Sequence, residues 1–197
     1  MTAANPAEHL PRVRALPTRP NPIPVQVYDT AMGRADERTR LILRMAREAG
    51  LRRGEIAVSH SRDMMPDLDG WSLVAHGKGG KTRVVPLTRR LAFELRALGD
   101  GFFFPGDIDG HLSPRRVGEL ATEVLPEPWT LHKLRARFAT DTLRTSGGNF
   151  GLVQDLLGHA SPATTKIYAE QDPASARNAV EAASGSLVGG ARLALVG

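Results

Sequence analysis

The chain has 197 residues, 41% hydrophobic and 24% charged, enough for one well-cored domain with tails but not for two full domains. It has no cysteine, which excludes a disulfide framework and thiolate-held metal. It also lacks an apolar run near the ~20 residues of a membrane span and the layout of a signal peptide, so a cytoplasmic protein with no membrane partner is expected. Twenty-six Lys+Arg against 21 Asp+Glu give a net charge of +5 and a pI near 10.2. That balance suits nucleic acid but does not by itself select it.

Residues 1–34 carry Pro6, Pro11, Pro17, Pro20, Pro22 and Pro24 with Arg12, Arg14 and Arg19 between them. Each proline fixes φ and removes a donor, which predicts an extended basic arm. From Ala35, Leu41, Ile42, Met45, Ala46 and Ala49 recur at helical spacing, and Gly50 suits the end of that helix. A short helix is predicted near Arg53. WSLVAH and TRVVPL are β-prone runs around a glycine-rich turn, a hairpin. Leu91, Leu95 and Leu98 mark another helix, and the three phenylalanines of GFFFPG read as core anchors. Ser113-Pro114 opens a helix to about Glu123. Helices are predicted over 132–145, 149–157, 161–169 and 173–183. The resulting fold class is α+β, mainly α-helical, with a small antiparallel hairpin or sheet on one side. Three segments follow: the arm at 1–34, one domain at 35–183, and a tail at 184–197.

The stretch Ala75–Thr82, AHGKGGKT, imitates the end of a nucleotide-binding P-loop. A P-loop needs a helix directly after the lysine, so that its N-terminus cradles phosphate. Here Arg83-Val84-Val85-Pro86 follows, which favours a strand and opposes a helix. No nucleotide is expected; the segment is a hairpin turn carrying Lys78.

The informative constellation lies further along. LHKLRARFAT holds His132 and Arg135 three residues apart, on one face at a helix start. LLGHASPATTKIYAE then presents His159 and Tyr168, and GLRRGE supplies Arg52 and Glu55. Alone, each residue has an ordinary reading: a packing tyrosine, a capping histidine, a surface ion-pair arginine. His132 and His159 have no third ligand at any recognised metal spacing.

Taken in order, these elements resemble the tyrosine recombinase (phage integrase) family over about 35–180. The family pattern is an arginine in a GLRxxE context, a lysine in a GKGxKxRxVP hairpin, then HxLR, LGH and a tyrosine. The resemblance implies a catalytic set of Arg52, Lys78, His132, Arg135, His159 and Tyr168; Lys81 is either the rival for Lys78 or, with Arg83, a contact to the DNA backbone. It further implies double-stranded DNA as partner, a homotetramer on DNA, a 3′-phosphotyrosyl intermediate, and no metal or other cofactor. The residue types fit that chemistry independently. Phosphoryl transfer is catalysed mainly by positioning and charge, and arginines fork onto phosphate oxygens. A tyrosine of ordinary pKa ~10 needs a cationic field and a proton acceptor, for which His132 is the candidate. His159 would donate to the phosphate, and Lys78 would protonate the leaving 5′ oxygen.

Relatives carry a helical core-binding domain ahead of the catalytic one, whereas only the proline-rich arm precedes it here. The alternative is therefore a truncated DNA-binding relative with little autonomous recombination, and a topoisomerase-like relaxation activity is a third reading. Residues 173–197, with Leu193–Val196 as an apolar patch, are expected to dock on a neighbouring protomer.

Overall fold

The computed structural model describes residues 22–158, 177 and 180–184. Two helices come first, α1 (Val25–Arg34) and α2 (Glu37–Glu48), followed by the short α3 (Arg53–Ala57). An antiparallel sheet of order β1-β2-β3 then forms from Met64–Asp67, Gly70–His76 and Thr82–Pro86. After it come α4 (Arg89–Ala97), a short strand β4 (Pro105–Ile108), α5 (Pro114–Val124), α6 (Leu131–Thr145) and α7 (Phe150–Leu157). The mainly helical architecture with a small sheet is the one the sequence predicts.

Helix α2 is the central element. Asp36 accepts a 2.7 Å hydrogen bond from the Thr39 amide at its start, a cap that contributes about 1 kcal/mol. Ile42, Leu43, Met45 and Ala46 are fully buried, and α2 packs along α6 with α4 and α5 beside it. Each large apolar side chain so buried contributes roughly 1.5–3 kcal/mol. Gly50 follows with φ +62°, and a Cβ there would stand 2.5 Å from the Phe138 ring. Only glycine meets both demands, so the chain turns sharply into α3.

The proline-rich arm needs correction at its end, where α1 occupies Val25–Arg34. Pro24 sits at the N-cap with φ −62°, a place where a proline starts a helix rather than preventing one. Ile23, Tyr28 and Ala31 are buried against the domain. Burial, with Glu48 adding to it against Arg44 and Arg47, lifts the Tyr28 hydroxyl well above its ordinary pKa. The arm's earlier residues, 1–21, lie outside the described residues.

The hairpin is where the sequence predicts it, with Ala75 opposite Arg83 and His76 opposite Thr82. Strand β1 adds an edge that the sequence reading did not anticipate; Pro66 fits there because an edge strand has donors to spare. Of the three phenylalanines, Phe103 and Phe104 are core, while Phe102 stands edge-on between the His60 and His111 rings. Arg177 donates to the Leu87 and Trp71 carbonyls at 2.6 and 2.8 Å and pairs with Asp67. Val180 joins the apolar cluster of α6 and α7. These described parts of 173–197 therefore pack on their own chain; the Leu193–Val196 patch lies outside the described residues. No described helix is long and apolar enough to cross a membrane.

Candidate active site

The site grows from one buried carboxylate. Glu55 is the third residue of α3 and reaches back to the Arg52 amide at 2.8 Å, fixing the first turn. Its Oε1 also accepts from Arg52 Nη1 at 2.7 Å and from Arg83 Nη1 at 2.6 Å. Arg83 Nη2 reaches Oε2 at 2.8 Å. Burial by itself would raise Glu55, but the Arg83 hydrogen bond and charge, with the Arg52 amide and side chain, hold it below the usual carboxylate range.

Around this carboxylate, three arginines grip the end of α7. Arg83 Nε donates to the Leu156 carbonyl at 2.7 Å, Arg135 donates to that of Leu157, and Arg52 Nη2 reaches that of Gly158 at 3.3 Å. The last carbonyls of a helix have no partner within it, so guanidinium groups are well matched to them. Arg135 also donates to the Gly50 carbonyl, which ties α6 to the turn after α2. Leu131, Leu134 and Phe138 bury the core side of α6 and so set the direction from which Arg135 enters. Burial pulls Arg135 down to about 9, with the Arg52 and Arg83 charges adding to it against Glu55. A guanidinium still carries its charge at neutral pH. Arg135 is thus a desolvated cation beside two others, with Glu55 3.8 Å away as its nearest described carboxylate, which suits it to receiving a phosphate.

Glu55, Arg52 and Arg135 border a cleft of about 1110 Å³ between α3, α5, α6 and the hairpin. Arg52, Lys78, His132 and Arg135 all line it. Arg52 is half-exposed, with 43% of its side chain open to solvent, whereas the Arg135 side chain is only 7% open. His132 is exposed on the first turn of α6. Lys78 stands exposed on a 3₁₀ turn, Lys78–Gly80, between β2 and β3. The hairpin closes through Gly77 N to Lys81 O at 2.7 Å, and β3 follows where a P-loop would require a helix. A Cβ on Gly77 would lie 3.2 Å from the Lys81 carbonyl and 3.6 Å from Glu55, so the base of the hairpin abuts the carboxylate.

Residues 111–175 match the family model "Phage integrase family". Over 157 residues the chain is 41% identical to tyrosine recombinase XerC of Methylobacterium sp. (strain 4-46), a match covering 72% of this chain and 48% of that one. The integrase of mycobacterium phage Brujita superposes with a TM-score of 0.72 at 26% identity, covering 86% of this chain and 60% of that chain. A XerA recombinase shares the fold, with a TM-score of 0.58 at 22% identity, over 81% of this chain and 64% of its own.

The chain belongs to the phage integrase (tyrosine recombinase) family. It spans about half the length of the curated relatives it matches.

Within this tyrosine recombinase domain, the structure brings Arg52, Lys78, His132 and Arg135 to one cleft. His159 and Tyr168 lie outside the described residues; Gly158, which precedes His159, is the residue whose carbonyl Arg52 reaches. Lys81 is exposed, open to the role expected of it on DNA. Arg83 is placed differently from the expectation. Its side chain is 7% exposed, it does not line the cleft, and its donors are spent on Glu55 and α7. A guanidinium so engaged has little left for DNA. His76, which the sequence reading passed over, also lines the cleft and pairs with the buried Asp63 at 2.8 Å. The exposed end of a strand beside Lys78 was its only signal.

Proposed function

We propose that the domain catalyses site-specific DNA recombination by cleaving and rejoining strands through a 3′-phosphotyrosyl intermediate. The Tyr168 oxygen attacks a backbone phosphorus, the phosphorus–O5′ bond breaks, and the 5′ strand leaves as a free hydroxyl. Arg52 and Arg135 neutralise the non-bridging oxygens as charge develops on them. His132 takes the tyrosine proton, His159 donates to the phosphate, and Lys78 delivers a proton to O5′ from its exposed turn. The new phosphodiester keeps the energy of the old one, so rejoining to another strand consumes no nucleotide. A homotetramer on double-stranded DNA would provide the four strands to be exchanged.

The observation that carries this reading is the convergence of Arg52, Lys78, His132 and Arg135, from three separate chain segments, on one cleft. Tyr28, the chain's other tyrosine, is buried at 5% exposure in the core, which supports Tyr168 as the nucleophile of this reading. The test is a pool of nicked duplexes of randomised sequence. The chain should form a denaturant-stable protein–DNA adduct that Tyr168→Phe abolishes; an adduct surviving that change sinks the assignment. DNA binding without any adduct would point instead to a DNA-binding relative that does not cleave.

A further inference from the structure

Arg83 is a buried cation that the chemistry just described does not use, and the acceptor count at Glu55 shows what it does. A carboxylate offers about four lone-pair sites. At Glu55 all are occupied: the Arg52 and Arg83 guanidiniums on Oε1, the Arg52 amide and Arg83 Nη2 on Oε2. Arg135 Nη1 therefore stops 3.8 Å from Oε2, beyond hydrogen-bond range, and turns to the Gly50 and Leu157 carbonyls. Without Arg83, half of those sites would empty on a carboxylate that is 3% exposed. An unsatisfied buried charge takes the nearest cation not already bonded to it, and among the described residues that cation is Arg135, 3.8 Å away.

The other end of Arg83 is equally committed. Its Nε holds the Leu156 carbonyl, and its Cδ would lie 2.8 Å from a Cβ on Gly158. Gly158 has φ +62°, and the packed Arg83 stem is a second reason for glycine there. If Arg52 and Arg135 turn toward a phosphate, Arg83 alone keeps its hold on the end of α7.

We propose that Arg83 is a positioning residue: by filling two acceptor sites of Glu55 and holding Leu156, it keeps Arg135 off that carboxylate and free to bind the scissile phosphate. This rests on the cleavage reading above.

The experiment compares wild type, Arg83→Met, Glu55→Gln and the double variant. It follows the single-turnover rate of adduct formation on the nicked-duplex pool at saturating DNA, and DNA affinity against salt. Arg83→Met should slow cleavage on the order of 10²-fold, with no loss of DNA affinity or salt slope that Glu55→Gln fails to restore. The double variant should regain at least about tenfold, because a neutral amide no longer draws Arg135 in. A general loss of structure would give no such rescue. Should Arg83→Met fail to fold, Arg83→Lys with and without Glu55→Gln is read the same way, since lysine keeps the charge but cannot fork onto both oxygens. The proposal is overturned by normal cleavage in Arg83→Met or by a double variant no faster than the single. It is also overturned by a salt slope reduced by about one that Glu55→Gln does not restore, which would put Arg83 itself on a phosphate. A wild type that forms no adduct removes the cleavage reading and this inference together; an active wild type with an active Arg83→Met removes this inference alone.

Discussion

Among the described residues, a buried carboxylate is surrounded by three arginines in two places. Beside the cleft, Arg52, Arg83 and Arg135 surround Glu55; between α2 and α6, Arg47, Arg137 and Arg144 surround Asp141 at 2.5, 2.8 and 3.3 Å. Composition is the same, but the outcome differs. Arg47 and Asp141 are each 1% exposed and bond to one another, so that cluster closes a helix–helix interface. In the cleft, Arg52 and Arg135 spend donors on main-chain carbonyls, and both border open space. One cluster is complete; the other keeps cations facing a cavity. What separates structure from function here is where the remaining guanidinium donors point, not how many charges are gathered.

Deleting an arginine from each cluster separates the two most strongly. Arg135→Ala should lower the adduct rate on the order of 10³-fold, the scale of losing an arginine on a transferring phosphoryl group. Arg47→Ala should act on stability instead, by about 3–5 kcal/mol, because it strands the buried Asp141. In calorimetry that is a fall of roughly 10 °C. Cleavage by the fraction still folded should be unchanged. If Arg47→Ala slowed cleavage as much as Arg135→Ala, the distinction would collapse.

Acid pH sharpens the comparison on the carboxylate side. The folded pKa of Glu55 lies below its free value of 4.5, so the unfolded chain takes up the proton first as pH falls. Its stabilising contribution is full above about 4.5 and disappears as pH falls through the folded value. Glu55→Gln should therefore flatten the loss of stability below about pH 4.5 in denaturant titrations; an unchanged slope would mean that Glu55 is not held as a buried anion.

The smallest effect expected is from inorganic phosphate. At ten times its dissociation constant, an anion bound only by the folded state adds about 1.4 kcal/mol, a rise of a few °C in Tm. The rise should vanish in Arg52→Ala, whose cation borders the cleft, and persist in Arg137→Ala, whose partner is Asp141. A shift that survives Arg52→Ala would place the anion elsewhere.

Much of this was legible in the sequence. Helix periodicity located α2 and α6, Ser113-Pro114 marked the start of α5, and the β-branched runs either side of GKGGK gave the hairpin. Those signals are local, because a cap, a period or a turn is set by residues within a few positions of one another. Two elements escaped for local reasons as well. Proline content hid α1, whose helix is held by burying Ile23, Tyr28 and Ala31, and Pro66 disguised β1, which an edge position tolerates.

By itself, the sequence determined the family pattern, the identity of the cationic residues and the turn that carries Lys78. Only the tertiary structure decided the separate uses of neighbouring arginines. Arg52 and Arg83 both belong to the family pattern, yet one opens to the cleft and the other is sealed against Glu55 and the end of α7. That choice depends on acceptors contributed from 28 and 73 residues away along the chain, and no window of sequence contains them together.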